Sequence, residues 1–318
     1  MYDVTALGEL LIDFTQNGIS EQGNPLFEAN PGGAPCNVLA MLQKLGHKTA
    51  FLGKLGNDYF GRLLKSSVAD EGIDTNHLKM DDDALTTLAF VSTGEDGDRS
   101  FSFYRVKGAD TMLQKSEISE ELIKQSRIFH FGTLSMTDEP ANSATEHALE
   151  IAKREGKIIS FDPNLRFPLW KSKERARDRM RFGLSVCDVL KIADDELLWF
   201  TGETDEHSAV KKLREEFNIP LVLVSLGKRG SRAYCGKLYA EAPALVTADT
   251  IETTGAGDTF CACALHYVLT YGLSGLDEAR MLEMLRFANA AASIVTTRRG
   301  ALRVMPTVAE VERQLETH

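Results

Sequence analysis

Thr253-Thr254-Gly255-Ala256-Gly257-Asp258-Thr259-Phe260 stands at the mouth of an apolar helical segment that runs through Ala264, Leu265, Val268 and Leu269. Glycines on either side of an alanine let backbone approach a ligand closely, and the helix that starts there turns unpaired N–H groups and the positive end of its dipole outward. Such a turn is a seat for an anion. A carboxylate placed in it would repel a phosphate that was merely bound. Asp258 therefore reads as a base that takes a proton from an attacking hydroxyl, which points to phosphoryl transfer to an alcohol.

A second glycine-bearing stretch, Asn30-Pro31-Gly32-Gly33-Ala34-Pro35-Cys36-Asn37, precedes a helical pattern (Val38, Leu39, Met41, Leu42, Leu45) that ends at Gly46. Gly32 and Gly33 clear room for a ligand, and the Asn37 amide both donates to and accepts from hydroxyls, so this loop is expected to face a sugar. Upstream, Gly8 to Phe14 reads as one β-type run with Asp13 emerging at its end, where ligands bind in open α/β sheets.

These segments carry a resemblance. Gly32 to Asn37 with Gly46 and Gly56, and Thr254 to Asp258, resemble the two signatures of the ribokinase-like (PfkB) carbohydrate kinases. Within them the likeness is to the fructokinase group, through Phe101 to Arg105 with Gly108-Ala109-Asp110, Asp162 to Arg166 with Pro168-Leu169-Trp170, and Val224 to Gly230. The resemblance spans essentially the whole chain. It implies ATP and Mg2+ as cofactors, fructose as acceptor with C6 the phosphorylated position, and Glu196 acting on magnesium through its outer shell. Tyr104 and Arg105 join Asp13, Gly32, Gly33 and Asn37 on the sugar side; Lys191, Glu196, Ser225, Gly227, Gly230 and Asn289 serve ATP, with Asn289 as the polar contact to adenine. A homodimer through the lid is a further implication.

In two places the sequence departs from the family pattern. Ala193 stands where many members carry Asn, three residues before Glu196, and Glu252 stands for the usual Asp ahead of the glycine turn. Some relatives bind a monovalent cation in that region, so K+ near Glu252, Thr254, Arg298 and Gly300 is left open. 2-Keto-3-deoxygluconate kinase and other sugar or nucleoside kinases of this fold are the alternatives.

Along the chain, strand-like and helix-like segments alternate: Thr49 to Leu55 then Tyr59 to Glu71, Ile128 to Leu134 then Pro140 to Glu155, Ile158 to Asp162, Val189 to Ala193 then Asp194 to Thr201, and Leu221 to Leu226. The pattern predicts an α/β, ribokinase-like, mostly parallel sheet with helices on both faces. Two stretches break the rhythm, and the expectation is one domain over 1–318 with a small β-sheet lid inserted at about 14–30 and 78–110. A hairpin turn is expected at Gly94 to Asp98.

Nucleotide binding does not come from a P-loop, because Gly56 to Leu63 has the glycine spacing without the following Lys-Ser/Thr. The expected route is the end of the Val222–Val224 strand, at the edge of the parallel sheet, with phosphates directed toward Gly255, Ala256 and Gly257. Arg166, beyond a buried strand, is expected to meet the transferred phosphoryl.

Composition narrows the function classes. A net charge of −10 argues against nucleic acid or an anionic membrane as partner. No apolar run reaches the ~18 residues that span a bilayer, and the N-terminal residues lack a signal pattern, so a cytoplasmic protein is expected. Five cysteines without Cys-x-x-Cys and seven scattered histidines without His-Glu-x-x-His predict reduced thiols and no structural metal. A dehydrogenase would need Gly-x-Gly-x-x-Gly after the first strand, and a sugar-binding regulator on an inactive kinase scaffold would be expected to have lost Asp258 or its glycines.

Overall fold

Apolar runs too short for helices and flanked by turns become buried parallel strands when helices cover both faces of a sheet. The computed structural model, which describes residues 1–93, 99–247 and 249–317, shows this along most of the chain. The strands are β1 (Tyr2–Leu7), β2 (Leu11–Ile19), β3 (Pro25–Gly32), β4 (Thr49–Gly56), β5 (Leu78–Asp81), β6 (Leu88–Thr93), β7 (Arg99–Tyr104), β8 (Ser126–Gly132), β9 (Ile158–Asp162), β10 (Val189–Ala193), β11 (Leu221–Ser225), β12 (Ser231–Cys235) and β13 (Leu238–Ala242). The α-helices are α1 (Ala34–Lys44), α2 (Tyr59–Asp70), α3 (Glu120–Lys124), α4 (Ala141–Arg154), α5 (Lys173–Val186), α6 (Asp194–Thr201), α7 (Glu206–Phe217), α8 (Ala256–Tyr271), α9 (Glu278–Thr296) and α10 (Val308–Glu316).

Nine strands form one sheet in the order β13-β12-β11-β10-β9-β8-β1-β4-β5, and four form another in the order β3-β2-β6-β7. From β11 to β5 every pairing in the large sheet is parallel, whereas β12 and β13 add on antiparallel. One apolar cluster packs beneath α1, α8 and α9 on one face, and a second packs beneath α4, α5 and α7 on the other. All eight residues of β4 are buried, as expected of a strand covered twice. The chain winds outward from β1 in both directions, so the loops after β1, β8, β9, β10 and β11 open on one rim.

Three expectations change. The Gly8–Phe14 run is not one strand: the chain leaves the large sheet after Leu7 and resumes at Leu11 as β2 in the small sheet, with Gly8 packed so closely on Pro35 at the start of α1 that a Cβ would fall 2.5 Å from its ring. Leu78–Asp81 belongs to the large sheet, paired with β4, so the small sheet begins later than 78 on this side. The β11 end is not a sheet edge, since β12 and β13 continue beyond it. Gly94 to Asp98 lies outside the described residues; the strands that flank it pair antiparallel, from Leu88↔Tyr104 to Thr93↔Arg99.

Candidate active site

Helix α8 begins at Ala256 with Gly255 as its N-cap, at φ 79, a conformation that glycine adopts without the clash a Cβ brings. A side chain at Gly257 would meet Lys191 Nζ at 2.9 Å. Asp258 is therefore the third residue of the helix, buried, and it accepts a 2.8 Å hydrogen bond at Oδ2 from Asn37 Nδ2 on α1. Burial, and then the nearby charge of Asp162, push its carboxyl up to about 6; the Asn37 bond and the cations Lys191 and Arg166 pull the other way. A carboxylate with this value is ionised at neutral pH and still basic enough to accept a proton.

Asp258 opens into a cleft of about 600 Å³ that runs between the rim of the large sheet and the inner face of the small one. Asp13, Gly33, Asn37, Arg166, Lys191, Glu196, Ser225, Glu252, Thr254, Gly255, Gly257 and Gly300, all expected from the sequence, line it. Ala256 lies between two of its glycines.

The small-sheet wall is acidic. Asp13, the third residue of β2, sits opposite Asn30, and its carboxyl is pushed up to about 7 by burial, with Arg166 opposing and Glu252 and Asp258 reinforcing. Gly32 lies against that carboxylate: a Cβ there would fall 2.2 Å from Asp13 Oδ2. Glu9, which the sequence reading passed over, also lines the cleft and accepts the Ala34 N–H at 3.0 Å, tying the start of α1 to the chain after β1. Its carboxyl is raised to about 7 by burial.

Tyr104 and Arg105 do not line the cleft. Successive residues of a strand face opposite sides, so with Phe103 in the cleft wall Tyr104 turns outward, 66% exposed, its ring edge-on to Phe90. The Arg105 guanidinium is engaged elsewhere, with Nε donating to Asp110 Oδ2, Nη1 to Thr137 Oγ1 and Nη2 to the Leu134 carbonyl, each at 2.8 Å. Arg166 is exposed at the rim; among the described residues its guanidinium makes one hydrogen bond, 3.4 Å long, to the Leu165 carbonyl beside it.

On the opposite wall, Glu196 accepts the Leu165 N–H at 2.6 Å and the Ala193 N–H at 3.1 Å; the second bond closes the start of α6, whose N-cap residue Ala193 has no polar side chain to cap it. Burial and the neighbouring Asp162 raise its carboxyl, with Lys191 opposing. Gly227 and Gly230 shape the tight turn after β11, where Leu226 N–H meets the Gly230 carbonyl at 2.8 Å, but neither lines the cleft. Asn289 is not brought to it either: its Oδ1 accepts from Ser231 Oγ (2.9 Å) and its Nδ2 donates to the Ala242 and Pro243 carbonyls (3.2 and 2.9 Å), so the amide pins α9 to the end of β13. Arg298 likewise faces away, donating to the Val304 carbonyl at 2.9 Å and pairing with Glu310. All five cysteines are free thiols. No helix among the described residues is long and apolar enough to cross a membrane.

The model of the pfkB family carbohydrate kinases matches residues 1–308. The chain belongs to this family. Fructokinase-1 of Zea mays is 40% identical to it over 316 residues, covering 98% of this chain and 97% of that one. Fructokinase-2 of Solanum lycopersicum is 39% identical over 311 residues, covering 96% and 94%. Among solved pfkB-like structures, the fructokinase of Xylella fastidiosa with bound ATP superposes with a TM-score of 0.90 at 30% identity over 100% of this chain and 99% of that one. The fructokinase of Vibrio cholerae O395 with fructose, ADP and calcium bound gives 0.86 at 30% identity, covering 99% of each. The family thus accounts for the α/β architecture with its separate small sheet and for a carbohydrate-kinase activity.

Proposed function

We propose that this pfkB-family kinase transfers the γ-phosphoryl group of ATP to a hydroxyl of fructose, giving fructose 6-phosphate. The observation that carries the chemistry is Asp258: a buried carboxylate with a value of about 6, at the open N-terminus of α8 and fixed by Asn37. Asp258 takes the proton of the attacking hydroxyl, and the N–H groups of Gly255, Ala256 and Gly257 stabilise the charge that grows on the transferred group.

Fructose is favoured over a sugar acid by the sugar-side wall. Asp13 and Glu9 line it, and the Arg105 guanidinium that could have received a carboxylate is engaged by Asp110, Leu134 and Thr137. An anionic sugar would stand beside those carboxylates, with Arg166 at the rim as the cation left to meet it. The names of the fructokinases that this chain matches over nearly its full length support the same acceptor.

ATP enters along Lys191, Glu196 and Ser225. Magnesium fits as an ion that arrives with ATP and keeps waters. The Glu196 oxygens, hard acceptors already steadied by two backbone N–H groups, would hold those waters, and the ion would supply charge neutralisation at the phosphates. Glu252, Thr254 and Gly300 line the same cleft and offer oxygens to a monovalent cation such as K+; Arg298 does not face it. The outward aromatic face of the small sheet, with Phe27 and Tyr104 exposed and packed about Phe90, is where we expect a second copy of the chain to dock in a homodimer. The free thiols suit a cytoplasmic enzyme. The test is a panel of fructose, ketodeoxygluconate, ribose and adenosine with ATP and Mg2+, with and without K+. Fructose is expected to give the highest kcat/KM; a higher value for ketodeoxygluconate overturns the acceptor assignment and leaves Asp258 in place.

A further inference from the structure

Lys191 is a buried lysine, 6% exposed, deep in the cleft wall beside the first turn of α8. Its Nζ would be only 2.9 Å from a Cβ on Gly257, so the second glycine of the turn is needed to admit the lysine as well as any ligand. The positive end of a helix dipole repels a cation, and burial strips it of water, so both effects oppose an ammonium here. Asp162 at the end of β9 offsets them, with its Oδ2 3.0 Å from Nζ. Neither Asp162 oxygen accepts a directed hydrogen bond among the described residues, so the lysine is its principal electrostatic partner.

We propose that Lys191 is a catalytic residue: its ammonium meets the transferred phosphoryl group beside Gly257 and takes up negative charge there, with Asp162 holding the lysine in place. This rests on the kinase reading above. As the bond from the sugar oxygen to the γ-phosphorus forms, the bond to the bridging oxygen of ADP breaks and its electron pair leaves with ADP. The hydroxyl proton passes to Asp258. Lys191 keeps its own proton throughout, because Asp162, Glu196 and Asp258 around it raise its pKa above that of an ordinary lysine despite burial. The arrangement puts a fixed charge where a surface arginine such as Arg166 would first have to be immobilised.

Charge removal separates this role from that of a merely structural ion pair. Lys191→Met leaves Asp162 buried and unpaired, so the Lys191→Met/Asp162→Asn double variant, which removes both charges, is made beside it. Both are expected to lose about 10²-fold or more in kcat with the KM for fructose changed less than about threefold. The pH profile gives a second readout, since Asp162, Asn37, Lys191 and Arg166 all act on Asp258. The acid limb of kcat/KM should rise in the single variant and return toward that of the parent in the double, together with the thermal midpoint. In direct binding, the ADP–aluminium fluoride–magnesium complex should weaken about 10²-fold in the double variant while ADP alone binds as in the parent. That measurement needs no turnover, so a failure of the fructose assignment remains distinguishable from a failure here. A folded double variant with kcat within a few-fold of the parent, or with undiminished binding of the aluminium fluoride complex, overturns the role of Lys191.

Discussion

The rim of the large sheet and the inner face of the small one each send a carboxylate into the same cleft, and the two are held differently. Asp258 rides on the first turn of a 16-residue helix, where burial raises its value to about 6 against a hydrogen bond from Asn37 and two cations that pull the other way. Asp13 projects from a strand, with Arg166 alone opposing its burial, and stands at about 7. The helix-borne group is placed for proton transfer, which needs one charge state in one position. The strand-borne group suits a row of sugar hydroxyls, to which a carboxyl can bond in either protonation state.

Exchanging the charge on each group is the most direct way to break this comparison. Asp258→Asn should lower turnover by about 10²-fold or more while calorimetry still records ATP and fructose binding, since the cleft keeps its shape. In the parent, kcat/KM should fall with pH below about 6, because the base must be ionised to act and protonation removes it; in Asp258→Asn that limb should vanish. Turnover within a few-fold of the parent would remove Asp258 from its role.

Asp13→Asn should act mainly through KM for the sugar, raising it about 10- to 100-fold with a smaller change in kcat, as expected when a hydrogen bond to a charged group is lost. Equal losses in kcat and kcat/KM would instead make Asp13 part of the proton-transfer machinery and erase the contrast.

Smaller still is the effect expected in the strands. If the small sheet closes over bound sugar, amide exchange in Leu11–Ile19 and Leu88–Thr93 should slow several-fold when fructose and a non-hydrolysable ATP analogue are added together, while β9 and β10 stay as they were. Unchanged exchange in the small sheet would argue that both walls of the cleft are equally rigid.

The smallest catalytic effect is expected at Asn289. Asn289→Ala should cost about 1–3 kcal/mol in denaturant unfolding, because two carbonyls and a hydroxyl lose their partner. The KM for ATP should move less than about threefold; a rise of tenfold or more with stability intact would return Asn289 to the adenine pocket.

The two walls also differed in how plainly the sequence announced them. Ile158–Asp162, Val189–Ala193 and the start of α8 are legible to the residue, because short buried strands and a glycine turn into an apolar helix have local signatures. The small sheet is less so. Gly8 to Phe14 reads as one apolar run, and it divides where Gly8 packs on Pro35, far along the chain. Tyr104 and Arg105 stand next to a residue that does reach the cleft, and the side on which an alternating strand places each residue is set by register, which Phe103 settles only in three dimensions. Glu9 carries no motif of its own, and Asp162 enters only as the first residue of the Asp162–Arg166 stretch, with no role of its own read from it. Their importance comes from the Ala34 N–H and the Lys191 ammonium that the fold brings to them.

One residue, Gly33, separates the last residue of β3 from the first of α1, at φ 140 and so close to the Glu9 carbonyl that a Cβ would lie 2.5 Å from its oxygen. Three residues further on, within the first turns of the helix, Ala34 is followed by Asn37, whose amide grips Asp258. The small sheet and the proton acceptor are therefore the two arms of a short lever with its fulcrum at Gly33. The sheet that faces the acceptor and the residue that orients the base thus meet at one glycine, whose place no other residue could take without displacing the Glu9 carbonyl.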